Sequence, residues 1–201
     1  MMTPKKCFRS GLLLLLAFSL GACFKSNPPV NTQRYALPEA AVQQTVAARA
    51  PAQTQTLVLN RIQLADYLDT DRIVVQTDDV TLHPARDHLW VDTLSQELRR
   101  GLRARLGSRL PNLSVTDPLP GAATSPSLSL TIDQFHGQMQ GYAVLSGQWR
   151  LVSPQQRTLQ QHAFKFSTPL SENGYPALVR ALGTNLDLLS EQIASQLQSS
   201  P

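Results

Sequence analysis

The sequence predicts an α+β domain, with a mostly antiparallel sheet of about five to seven strands packed by two long amphipathic helices. Two leucine stripes and a run of alternating segments carry this reading. Trp90, Leu94, Leu98, Leu102 and Leu106 recur every four residues, and Leu178, Leu182, Leu186, Leu189, Ile193 and Leu197 do so with one step of three. Both spacings place an apolar stripe along one side of a helix. Between them, Leu128, Leu130 and Ile132, then Ala143, Leu145, Gly147, Trp149 and Leu151, alternate with mostly polar residues. That is the period of a strand with one buried face.

The first 22 residues read as an export signal. Lys5, Lys6 and Arg9 precede an apolar run from Leu12 to Leu20, too short for the roughly 20 apolar residues a membrane span needs. Leu20-Gly21-Ala22-Cys23 matches the lipobox of bacterial lipoproteins, so cleavage before Cys23 and acylation of its thiol are expected. Each acyl CH₂ buried in a bilayer contributes about 0.8 kcal/mol, and two or more chains anchor stably. Residues 23–31, with Ser26, Asn27, Pro28 and Pro29, read as a short extended tether. Residues 32–201 are then expected to form a single domain.

Within it, Gln33 to Leu37 is a plausible first strand. Glu39 to Thr56, rich in Ala, Gln and Thr, reads as a connection with a helical turn around Ala40 to Ala48. Leu57, Leu59 and Ile62 suggest a second strand, Ala65 to Thr70 a turn, and β-branched Arg72 to Thr77 a third strand. Asp78-Asp79 turns the chain back through Val80 to His83 as a hairpin. The first helix is expected from about His88 to Leu106, with Asp87 as cap and Gly107 as stop. Leu113 to Thr116 reads as a short strand, and the proline-rich Asp117 to Pro126 as a loop. The alternating segments, closed by Thr158 to Phe166 after a turn at Ser153 to Gln156, look like an antiparallel meander. Pro176 suits the first turn of a last helix running to Gln198.

Charge and cysteine counts narrow the function. The chain has 18 basic and 14 acidic residues. Removing Lys5, Lys6 and Arg9 leaves fifteen basic against fourteen acidic, a net of +1, which gives no support for nucleic-acid binding. Cys7 leaves with the signal and Cys23 carries lipid, so no thiol remains for a disulfide or a metal site.

No catalytic pattern is visible. His83, His88, His136 and His162 show no metal-ligand spacing, and the sequence lacks G-x-S-x-G, a Walker A loop and G-x-G-x-x-G. Asp69, Asp71, Asp78 and Asp79 lack the glycine and terminal glutamate of a calcium loop and read as turn residues. Arg99, Arg100, Arg103, Arg105 and Arg109 suggest either a solvated helix face, which is favoured, or a surface for an anionic partner. No enzyme activity, cofactor or metal is expected.

Several short blocks recur in a familiar order. They are Asp66-Tyr67-Leu68, Val74 to Val80, Leu89-Trp90, Leu94, Leu98-Arg99, Leu102 and Arg109-Leu110-Pro111, then Phe135-His136-Gly137 and Ser146-Gly147-Gln148-Trp149. With the lipobox, they resemble the PqiC family of ABC-type transport auxiliary lipoproteins over nearly the whole mature chain. The resemblance implies a non-enzymatic component of an intermembrane phospholipid transport system that supports envelope integrity. It implies an MCE-domain (PqiB-like) partner, a homo-oligomeric ring and a place on the periplasmic face of the outer membrane. The absence of aspartate after Cys23, where Phe24 and Lys25 stand, fits that sorting. The densest match, Asp66, Tyr67, Leu68, Val75, Gln76, Thr77, Asp79 and Val80, falls on turns and is the candidate partner or oligomer surface. The alternative, an outer-membrane lipoprotein that activates a cell-wall synthase, is disfavoured by the short tether. An unrecognised periplasmic hydrolase fits least.

Overall fold

A computed structural model describes residues 31–39, 55–118 and 124–199. The expected signal, Cys23, most of the tether and the helical turn at Ala40 to Ala48 lie outside these residues. The described elements belong to the unit that begins at Thr32.

One long strand organises the sheet. β7 (Ser127–Gln138) has β2 (Gln55–Leu59), β3 (Gln63–Leu64) and β4 (Arg72–Gln76) laid in succession along one edge, all parallel to it. Its other edge pairs antiparallel with β8 (Tyr142–Val152), which pairs with β9 (Thr158–Pro169). β5 (Leu82–Trp90) returns antiparallel on β4; β1 (Gln33–Tyr35) lies parallel to β5, and β6 (Leu113–Thr116) parallel to β2.

This corrects the expected mostly antiparallel sheet. Among the described residues the sheet has nine strands and is mixed, with five of its eight pairings parallel. Adjacent segments that look like hairpin partners pair elsewhere: β2, β3 and β4 each seek β7, more than fifty residues on. Parallel neighbours need long crossover connections, and α1 (Leu94–Arg109) lies within the one joining β2 to β6. The meander of β7, β8 and β9 is antiparallel.

The helices also differ from the expected packing of both against the sheet. α2 (Tyr175–Gln198) packs on β8 and β9, whereas α1 packs against α2 and β6. α1 begins at Leu94, with Thr93 at the cap position, rather than near His88. Residues 88–90 stay extended because β1 pairs with them, and the Trp90 amide donates to Asp71 O at 2.7 Å. Trp90 therefore joins the core from a strand, in line with the helix stripe by coincidence of spacing. Gly107 does not stop α1, which runs to Arg109.

Both leucine stripes reach one core. Leu94, Leu98, Leu102 and Leu106 of α1, and Leu182, Leu186, Leu189 and Ile193 of α2, close over Leu128, Leu130, Ile132, Leu145 and Trp149 of the sheet. The residues between these on β7 and β8, such as Ser129, Thr131, Gln148 and Arg150, line a shallow polar groove of about 470 Å³.

Candidate partner surface

Of the eight residues singled out from sequence, the first three form one 3-10 turn, Asp66–Leu68, closed by the Leu68 amide on Ala65 O at 2.8 Å. Its side chains diverge. Leu68 enters the core. The Tyr67 hydroxyl donates to Asp133 O of β7 at 2.8 Å, and its ring centroid lies 6.3 Å from that of His136. Burial, with Asp133 beside it, pushes the Tyr67 pKa up to about 12. Of the three, Asp66 alone is exposed. This turn holds its place on β7 more than it presents a surface.

The other five lie at the end of β7. Val75 is half-buried in β4. Gln76 ties three segments together. Its carbonyl accepts the Met139 amide at 3.0 Å, its Nε2 donates to Asp79 O at 3.2 Å, and its Oε1 accepts Gln138 Nε2 at 3.1 Å. The hairpin tip is rigid: the Thr77 amide donates to Thr81 O, and Asp78 Oδ1 accepts the Val80 and Thr81 amides at 2.9 and 2.7 Å. Those amides, Val80 first, hold the Asp78 carboxyl below its ordinary pKa. Thr77, Asp79 and Val80 remain exposed, Val80 by 84%. The candidate surface therefore divides: the Tyr67 turn braces β7, and the hairpin tip stands free.

Three of the four histidines are engaged structurally, and His83 is exposed on β5. Among the described residues no three His, Cys, Asp or Glu side chains are placed to hold a metal ion. His88 stacks on Tyr175 with centroids 3.7 Å apart and meets the Tyr35 hydroxyl at 2.9 Å; His162 stacks on Trp149. His136 is buried beside Gly137 O, and desolvation lowers its pKa. Its folded pKa thus lies below the unfolded value of about 6.5, so the unfolded chain takes up the proton first. The stability His136 permits is complete above that pH and falls as pH drops through it. Urea midpoints at pH 7 and pH 5 should therefore differ less in His136→Gln than in the wild type. Equal differences would mean that His136 titrates normally.

The arginine cluster divides in a way the sequence did not show. Arg99 and Arg103 pair with Asp117, and Arg100 with Asp92 and Glu97. Arg105 is 1% exposed. Its Nε donates to Asp187 of α2 at 2.7 Å, and its Nη2 to Pro38 O, just past β1, at 3.0 Å. Glu97 Oε2 accepts the Leu37 amide at 3.1 Å. Two side chains about two turns apart on α1 thus clamp the strap after β1. Gly183 lets α2 close on the same strap, since a Cβ there would sit 3.0 Å from Pro38. Spacing cannot single out Arg105 among five arginines; its neighbours on the Leu102–Leu106 stripe are the only hint.

A family model for the ABC-type transport auxiliary lipoprotein component matches residues 35–194. The chain is 29% identical to the intermembrane transport lipoprotein PqiC of Escherichia coli K12 over 190 residues, covering 94% of this chain and 98% of that protein. The same values hold for PqiC of Shigella flexneri. The crystal structure of an uncharacterized protein, 28% identical, superposes with a TM-score of 0.72 over 83% of this chain and 99% of its own. A Xanthomonas campestris protein, 18% identical, shares the fold with a TM-score of 0.67 over 84% of this chain and 99% of its own.

Proposed function

The chain belongs to the ABC-type transport auxiliary lipoprotein family, and from that premise we propose that it serves an MCE-domain (PqiB-like) protein in carrying phospholipid between membranes. In this reading Cys23 is acylated and the domain stands on the periplasmic face of the outer membrane. Copies of it associate in a ring, and its role is to support and position the transport partner rather than to catalyse a reaction. The observation that carries the proposal is the match to PqiC, which runs through 94% of this chain and 98% of that protein. The short stretch between Cys23 and β1 supports it, because a domain so tethered stays close to its membrane. Nothing specific favours a cell-wall synthase activator.

One experiment tests the proposal. Tagged full-length chain and its Cys23→Ala variant are expressed in a Gram-negative host with the MCE protein, and membranes are separated by density before detergent extraction. The wild type should appear in the outer-membrane fraction with diacylglyceryl mass on Cys23 and should bring the MCE protein down with it. Cys23→Ala should leave the membrane fraction, a shift of at least tenfold in distribution, as expected when acyl chains dominate anchoring. A wild-type protein that pulls down no MCE protein would sink the transport reading.

A further inference from the structure

We infer that the turn end of the sheet is a membrane-contact tip, with Val80 and Met139 set into the headgroup region of the bilayer that holds the chain's own lipid. The inference rests on the lipid-anchor reading above and names the partner of the exposed part of the candidate surface.

Seven large hydrophobic side chains are exposed among the described residues, and four of them, Val80, Leu82, Met139 and Tyr142, gather at this end. Register places them together: Gln76 pairs with both Leu82 and Gln138, and Gln138 pairs with Tyr142. The other three, Val91, Leu159 and Leu188, are scattered. A cluster of exposed apolar side chains marks a surface that meets protein or membrane. Here the two most exposed members, Val80 at 84% and Met139 at 67%, project from two adjacent tight turns. The Asp78 carboxylate and the three bonds of Gln76 fix those turns. Two rigid, separate apolar points suit shallow insertion between headgroups better than a continuous groove contact.

Strand direction selects the membrane over a protein. β1 runs parallel to β5, with Gln33 opposite His88, so the chain enters β1 from the side on which β5 begins at Leu82. Six residues of strand separate His88 from Leu82, about 20 Å at 3.3 Å each. Ten residues join Cys23 to Gln33 and reach at most about 35 Å. The tip is thus within reach of the anchored bilayer, on the side from which the tether arrives. The two exposed carboxylates on the hairpin, Asp78 and Asp79, favour a largely zwitterionic surface over an anionic one.

The test uses acylated full chain reconstituted into vesicles of phosphatidylethanolamine with a minor share of phosphatidylglycerol. After processing the chain has no free thiol, so Thr81→Cys and Leu159→Cys each accept a single environment-sensitive fluorophore. The Thr81→Cys probe should shift to the blue and be quenched by lipids labelled near the headgroup; the Leu159→Cys probe, at the far end of β9, should report water. Adding Val80→Ser and Met139→Ser should return the Thr81→Cys probe to water, with quenching reduced about tenfold, as expected for losing two apolar anchors. Flotation of the vesicles reads the anchor separately. Chain that floats while the Thr81→Cys probe stays aqueous overturns the tip contact alone. Chain that lacks acyl mass and does not float overturns both readings. A Thr81→Cys probe that dries only when an MCE protein is added assigns the tip to a protein partner and overturns the inference.

Discussion

Arg105→Ala should cost the folded state about 3–5 kcal/mol, the scale of truncating a large buried side chain together with its charged hydrogen bonds. Arg105 is 1% exposed, and its guanidinium bonds Asp187 and the Pro38 carbonyl across three separate segments. Alanine leaves a cavity beside Leu102 and Leu106, an unpaired carbonyl on the strap and a carboxylate without its partner. Asp187 itself is about a third exposed and can turn to water, so most of the loss comes from the arginine side. Asp187→Asn keeps an acceptor for Arg105 Nε but leaves a buried guanidinium without its counter-charge, and is expected to cost about 2 kcal/mol, within the range of a hydrogen bond to a charged group. Urea unfolding measures both. Hydrogen exchange supplies a local check. The Leu37 amide, bonded to Glu97 about two turns of α1 away, should exchange much faster in Arg105→Ala than the amides of β7. Equal losses in the two variants would mean that the arginine contributes through its charge pair alone.

The same arginine shows where sequence reading ends. Periodicity identified both stripes and the strands of the meander because those signals are local: each residue reports the face it occupies. Partner choice is not local. Leu57, Leu59 and Ile62 mark strands, yet nothing in them says that β2 and β3 lie parallel to β7 rather than turning back on β4. Trp90 continues the helical stripe by spacing, and only its pairing with Tyr35 of β1 reveals a strand. The site divides along the same line. Val80 on a turn was legible as a surface residue. The burial of Leu68 and the bracing role of Tyr67 depend on β7 passing beneath them, which is a tertiary fact. Arg105 looks like its four neighbours until Asp187 and Pro38, far away in the chain, meet it.

Gly147→Ala should be at least as damaging as the loss of Arg105, because it strikes the hub strand. β7 carries a bulge between Ile132 and Gln134, and Gly147 of β8 lies opposite Ile132. A Cβ on Gly147 would sit 2.1 Å from the Thr131 carbonyl oxygen and 3.0 Å from the Phe164 ring. The backbone oxygen has no side-chain rotation to relieve the clash. To admit one methyl group, β7 and β8 must part where their ladder is already interrupted, and Trp149, two residues on and fully buried, must move with β8. Overpacking a well-filled core costs about 1–3 kcal/mol, and the displaced ladder bonds add about 1 kcal/mol each, so a loss of roughly 4 kcal/mol or failure to fold is expected. Soluble yield and urea midpoint measure it. The comparison with Gly107→Ala separates this clash from the ordinary effect of removing a glycine, since nothing lies within 4 Å of a Cβ at Gly107. In the last turn of α1 that change should stabilise the chain, by less than the roughly 0.5–1 kcal/mol of a mid-helix site. The short Ser146-Gly147-Gln148-Trp149 block thus has a physical reason: glycine closes the ladder over the bulge, and tryptophan fills the core beneath it.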